Sequence, residues 1–154
     1  MEAQVLTITF FGHRDAKETP ELKDKLNDTI SFFFNLALEQ NRKLKFLCGN
    51  YGNFDALSSL SIDKIRKESP SVECEKIFVT PYFGDRLDTW VASHYDSTIY
   101  PPLEKVPYKY AIVKRNEWMA DNAQYIILHS IYSWGGTARM ETYAKRKNKK
   151  IIYI

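Results

Sequence analysis

Glycine and proline are sparse, six of each in 154 residues, and no low-complexity stretch interrupts the chain, which excludes fibrous and disordered classes. No apolar run approaches the roughly 18 residues needed to span a bilayer, so no membrane role is expected. The opening residues reach Gly12-His13-Arg14 with neither a basic leader region nor a small-residue cleavage site, and a cytoplasmic address is the expectation. Cys48 and Cys74, the two cysteines, stand far apart without metal-ligand or redox spacing and read as reduced, mostly structural thiols. The three histidines, at 13, 94 and 129, do not cluster, so neither zinc nor any other metal is indicated. Missing as well are the GxGxxG fingerprint and the GxxxxGK[ST] loop, which removes support for a dinucleotide dehydrogenase or a P-loop ATPase; no cofactor is called for. The formal charge is only +3, and much of the excess lies in the run Lys145 to Lys150, where cations complement a helix end. That run reads as a solvated face and argues against a nucleic-acid partner.

What is present is an ordinary globular composition, 44% hydrophobic and 27% charged, at a length that fits one domain over residues 1–154. Residues 5–11 form an apolar, β-branched and aromatic run ending at Gly12, as a strand covered on both faces would. Thr19-Pro20-Glu21 is a helix start, and Leu22, Leu26, Ile30, Phe33, Ala37 and Leu38 follow at helical spacing. Further strands are expected over 45–48, 76–80, 125–129 and 151–154, with helices over 55–68 (Asn53 as a candidate N-cap), through the stripe Tyr108, Ala111, Ile112, Arg115, Met119, and over 137–147. Residues 82–107 read as a long loop or lid. The alternation predicts an α/β, Rossmann-like parallel five-stranded sheet with helices on both faces, for which the order 3-2-1-4-5 is taken. Its ligand would lie beyond the carboxyl ends of the first and fourth strands, where strand order reverses.

Two glycine turns follow strands at that edge. Ser133-Trp134-Gly135-Gly136-Thr137 opens a helix whose first N–H groups lack internal partners and whose dipole favours an anion; it is either a phosphate site or a turn that needs glycine for its backbone angles. Gly49-Asn50-Tyr51-Gly52-Asn53 repeats the device, either touching a ligand or serving only as a turn and cap. Arg115 lies on an otherwise apolar helical stripe and needs an anion there: Glu117, Asp121 or Glu141 in a salt bridge, or a ligand phosphate. His13 and Arg14 carry the same ambiguity, with Asp15 as the nearest structural partner. The aromatics Tyr82, Phe83, Trp90, Tyr95 and Tyr100 either cover a base or pack a long loop.

Gly12-His13-Arg14, Cys48-Gly49 with Gly52-Asn53-Phe54-Asp55-Ala56-Leu57, Tyr100-Pro101-Pro102-Leu103-Glu104, Arg115-Asn116-Glu117-Trp118-Met119 and Trp134-Gly135-Gly136-Thr137 occur in an order that resembles the SLOG superfamily, nearest its short YpsA-like branch. The resemblance implies a Rossmann-like fold. It also implies kinship with the Lonely Guy phosphoribohydrolases, the DNA-processing protein A group and sensors of ADP-ribose-type signals. In the Lonely Guy enzymes an Arg-Lys-x-x-Met segment supplies a catalytic arginine, and Gly-Gly-x-Gly-Thr-x-x-Glu supplies phosphate-binding glycines and a catalytic glutamate. Arg115 and Met119 match the first in residue type. The second is shortened to Gly135-Gly136-Thr137, with Met140 three residues on and Glu141 one later, a rotation of about 100° on a helix.

The leading expectation is a binding or sensing protein for a nucleotide or nucleotide-derived small molecule, of nucleoside monophosphate or ADP-ribose type. Phosphate would sit on Arg115 and Gly135-Gly136-Thr137, ribose near Gly12-His13-Arg14, and the base under residues 82–100, with Ser133, Gly49, Gly52 and Asn53 as further ligand-binding candidates. The alternative is a phosphoribohydrolase acting on nucleoside 5′-monophosphates, with Arg115 and Glu141 as its catalytic pair. A homodimer is left open, and a DNA-binding role through the basic tail is the weakest reading.

Overall fold

The computed structural model describes residues 4–83 and 89–154. Val5–Gly12 forms the first strand, β1, buried along almost its whole length. Helix α1, Pro20–Gln40, starts where the sequence says: the Thr19 hydroxyl accepts the Leu22 N–H at 3.2 Å and proline fills the first helical position. Its buried stripe is completed by Phe34 rather than Leu38, which is 58% exposed. The helix stops at Asn41 in the left-handed region, φ 53 and ψ 50, a conformation asparagine tolerates.

Strand β2, Lys43–Cys48, leads to α2, Asn53–Glu68, and then to β3, Cys74–Val79. Asn53 is not the N-cap of α2; Gly52 is, and Asn53 is the first helical residue. After β3 come a short helix α3, Thr89–His94, a short strand β4, Ser97–Ile99, and a 3-10 turn, Tyr108–Tyr110. Helix α4, Ala111–Asp121, strand β5, Tyr125–His129, helix α5, Gly136–Arg146, and strand β6, Lys150–Tyr153, complete the order.

The sheet is parallel throughout and runs β4-β3-β2-β1-β5-β6. Among the described residues it has six strands rather than the five expected, because β4 lies inside the segment read as a loop or lid. Ser97-Thr98-Ile99 is too short to display a period and is mostly exposed, so only its pairing with β3, Ile77 to Ser97 through Val79 to Ile99, defines it. Residues 84–88 of that segment lie outside the described residues. The order of the other five strands is the one predicted, and β1 sits between β2 and β5.

Helices cover both faces. On one, Leu26, Ile30, Phe33 and Phe34 of α1 and Phe54, Ile62 and Ile65 of α2 pack with Leu6, Ile8, Phe10 and Phe46 of the sheet. On the other, Met119 and Ala120 of α4 and Met140 and Ala144 of α5 pack with Phe11, Ile77, Ile126 and Leu128. No helix among the described residues is long and apolar enough to cross a membrane.

Gly12 ends β1 opposite His129 of β5, at the reversal of strand order. It must be glycine because α2 comes so close: a Cβ there would lie 2.2 Å from the Phe54 ring. Phe54 is fully buried and stacks on His129 at 5.6 Å, so it has nowhere to go. Gly12→Ala overpacks this contact and is expected to cost about 1–3 kcal/mol. The urea midpoint should fall with the slope unchanged; a wild-type midpoint would show that the helix yields.

Candidate functional site

At the carboxyl ends of the strands a cavity of about 510 Å³ is lined from β1 and its loop (Gly12, His13, Arg14, Asp15), α2 (Asp55), α4 (Arg115, Asn116) and the start of α5 (Gly135, Gly136, Thr137). It lies where the order of strands predicts a ligand.

Arg115 is the unusual residue. Ala111, Arg115 and Met119 share the buried face of α4, and Arg115 is only 2% exposed. Its Nη1 donates to the carbonyls of Gly49, at 3.0 Å, and Val79, at 2.8 Å, while Nε donates to Asn116 Oδ1 at 2.9 Å. Among the described residues no carboxylate stands at ion-pair distance. Each of the three expected partners is engaged elsewhere: Glu117 with Lys114, Asp121 with the Tyr143 hydroxyl, and Glu141 with the Tyr153 hydroxyl and Lys145. Nη2 makes no hydrogen bond among the described residues. Burial pushes the guanidinium pKa down and the nearby Asp55 charge opposes that shift, but an arginine stays charged.

The two glycine turns have the same geometry and different surroundings. Gly52 (φ 90, ψ −174) and Gly135 (φ 94, ψ −174) are the N-caps of α2 and α5, and neither helix has a side-chain cap. These positive φ values favour glycine. The start of α2 is closed: the Asn53 N–H donates to the Arg14 carbonyl at 2.8 Å, and a Cβ on Gly52 would lie 2.5 Å from Arg14 Cα. The start of α5 is open. The N–H groups of Gly136 and Thr137 have no partner among the described residues, and nothing lies within 4 Å of where a Cβ would sit on Gly135 or Gly136. Such a helix start attracts anions.

His13 is a buried strut. Its Nε2 accepts the Ile131 N–H at 2.7 Å, so the proton sits on Nδ1, and burial, then His129, hold its pKa down against Asp15. It thereby ties the β5–α5 loop to the end of β1. Its ring edge meets Tyr132 at 4.7 Å, and Tyr132 stacks on Trp134 at 4.9 Å and 22°. Trp134 is 69% exposed. Arg14 donates to the Tyr51 hydroxyl and lies over the Tyr51 ring at 5.3 Å. Tyr51, Tyr132 and Trp134 therefore give the cavity its aromatic walls.

The expected base-covering segment is placed differently. Tyr95 is buried against Phe78, Tyr82 stacks on Tyr108 at 4.6 Å, and Phe83 packs on Tyr100 at 5.4 Å; none of these lines the cavity. The side chain of Trp90 lies outside the described residues. The signal that could have identified the aromatic wall is Tyr132-Ser133-Trp134, directly before the glycine turn.

Of the candidate residues, Gly12, His13, Arg14, Arg115, Gly135, Gly136 and Thr137 converge on one cavity. Gly49, Gly52 and Asn53 stand behind it: Gly49 by its carbonyl on Arg115, Gly52 under Arg14, and Asn53 by donating from Nδ2 to the Ala16 carbonyl at 3.1 Å. Ser133 lines a neighbouring groove between α4 and α5. Glu141 does not face the cavity, whose carboxylates are Asp15 and Asp55. A hydrolase that pairs Glu141 with Arg115 has no support in this placement.

Asp55 Oδ2 accepts the Tyr51 N–H at 2.9 Å. Burial pushes its pKa up to about 6, and the Tyr51 N–H and Arg115 restrain the rise. A raised folded-state pKa means that the folded chain holds this proton more tightly than the unfolded one. The stabilisation is complete below about pH 4 and is lost as pH rises through about 6. The stability of wild type relative to Asp55→Asn should therefore fall between about pH 4 and pH 7 in urea titrations. A difference that stays flat across that window contradicts the assignment.

No protein-family model matches the chain, and no curated protein matches its sequence. Solved structures do resemble it. DNA processing protein A from Helicobacter pylori superimposes with a TM-score of 0.66 at 13% identity, over 96% of this chain and 64% of that one. The Streptococcus pneumoniae protein gives 0.67 at 13%, over 97% and 50%. The Moco carrier protein from Chlamydomonas reinhardtii gives 0.57 at 14%, over 97% and 76%. The chain thus spans from half to under two thirds of the two DNA processing proteins, and at these identities the likeness is one of fold. The Helicobacter protein is described by its single-stranded DNA binding mode, which overturns the expectation that set nucleic acid aside on charge alone. The likeness does not single out the YpsA-like branch. What the chain shares with these proteins is the fold, a parallel α/β sheet with helices on both faces.

Proposed function

We propose that the chain is a binding or sensing protein for a nucleotide or nucleotide-derived small molecule, held at the carboxyl edge of the sheet between β1 and β5. The observation that carries this reading is the buried Arg115 guanidinium, whose Nη2 has no protein partner among the described residues and which shares a cavity with the uncapped start of α5. A single anionic group can accept from both. Charge-assisted hydrogen bonds of this kind contribute on the order of 1.5–3 kcal/mol each. The sugar lies toward Gly12-His13-Arg14, and the base lies against the Tyr132–Trp134 stack.

A second reading is favoured by the exposure of Trp134 and by the fold shared with a single-stranded DNA binder: the same cavity takes one nucleotide of a strand whose next base stacks outside. Stacking on an aromatic side chain is worth about 1–3 kcal/mol per base and tolerates any sequence.

Calorimetry with adenosine monophosphate, ADP-ribose and an oligothymidylate separates the readings. Wild type should bind a free nucleotide, and Arg115→Ala should weaken that binding about tenfold or more. Because Arg115 also holds two strand ends, Gly136→Pro is the companion variant. It removes one N–H at the first helical position, where proline is tolerated, so the melting temperature should hold while affinity drops. Binding of the oligonucleotide alone would establish the second reading. If nothing binds, or if both variants bind as tightly as wild type, the anion site is wrong.

A further inference from the structure

We propose that Asp55 accepts a hydrogen bond from a sugar hydroxyl of the ligand, which makes the cavity selective for ribonucleotides over their deoxy forms; this rests on the nucleotide reading above. Asp55 lines the same cavity as Arg115. Oδ2 is committed to the Tyr51 N–H, whereas Oδ1 makes no hydrogen bond among the described residues. The other polar atoms there are largely spoken for: His13 Nε2 accepts from Ile131, and Asn116 Oδ1 accepts from Arg115. A half-buried carboxylate oxygen facing a cavity is a strong acceptor open to a ligand donor.

Position decides which donor. A Cβ on Gly49 would lie 3.1 Å from Arg115 Nη2 and 3.2 Å from Asp55 Oδ2, so the cation and the carboxylate flank the same glycine. The acceptor thus stands beside the phosphate donor, whereas the base is assigned to the exposed Trp134. The groups of a nucleotide close to its phosphate and able to donate are the sugar hydroxyls. A phosphate alone on Arg115 would face the Asp55 charge directly, and an interposed hydroxyl replaces that repulsion with a hydrogen bond. Carboxylates recognise ribose in this way in other Rossmann-like sites.

The test is calorimetry at about pH 8, where the carboxylate is ionised, with adenosine 5′-monophosphate and its 2′-deoxy and 3′-deoxy analogues. Wild type should favour the ribonucleotide over at least one analogue by about tenfold, since a site built to bond a hydroxyl discriminates against its loss. Asp55→Asn can keep the Tyr51 bond through its amide oxygen but turns an NH₂ toward the cavity. The preference should then shrink to about twofold or less, with the deoxy analogues bound at least as well as by wild type. A wild-type series without preference overturns the proposal even if the variant fails to fold. Equal binding of all three by wild type, or a preference that survives in a folded Asp55→Asn, overturns the role of Asp55 and leaves the nucleotide reading standing. Binding of none overturns both.

Discussion

Arg115 puts a full positive charge where the molecule has almost no water, and the cleft is organised by how that charge is accommodated. Burying an ion costs several kcal/mol even after relaxation, and a salt bridge is the usual compensation. Here two main-chain carbonyls do the work, Gly49 just beyond β2 and Val79 at the end of β3, so one side chain of α4 fastens the ends of two strands. Gly49 lacks a side chain where the guanidinium passes, and Asp55 is near enough to be felt yet outside ion-pair distance. The charge is held in place without being neutralised. On the nucleotide reading proposed above, a ligand anion completes the arrangement.

The rest of the cleft follows from one asymmetry. Helices α2 and α5 start on glycines of nearly identical conformation at the same edge of the sheet. The Arg14 carbonyl plugs the first and no described residue plugs the second, so the unpartnered N–H groups of α5 line the same cavity as Arg115. His13 holds the loop leading into α5 through Ile131, which fixes the Tyr132–Trp134 stack at the mouth. Anion donors lie inside, an acceptor at Asp55 lies beside them, and aromatic surface lies at the rim. That order is the one the proposed nucleotide reading requires.

Signals that are local and strong were legible in the sequence. The Thr19-Pro20 start of α1, the apolar run of β1 and the alternation of strands with helices each rest on neighbours within a few residues, and together they give the parallel α/β class; the order of the five strands comes with that class and is not read from the residues. Strand β4 was not legible because three residues carry no period. Leu38 and Phe34 are both compatible with a helical stripe, and only the position of the sheet decides between them. The sequence marked Arg115 as needing an anion but could not supply its partners: the Gly49 and Val79 carbonyls are 66 and 36 residues away and main-chain acceptors leave no mark in composition. Glu141 was suggested by a motif shifted by one position, and on α5 that shift turns it toward Tyr153 and Lys145.

A crystal structure of the protein grown with saturating adenosine monophosphate tests the central claim most directly. The account predicts a phosphate oxygen at hydrogen-bond distance from Arg115 Nη2 and another at the N–H of Gly136 or Thr137. A phosphate bound elsewhere on the molecule, or a cavity left empty at saturation, would contradict it.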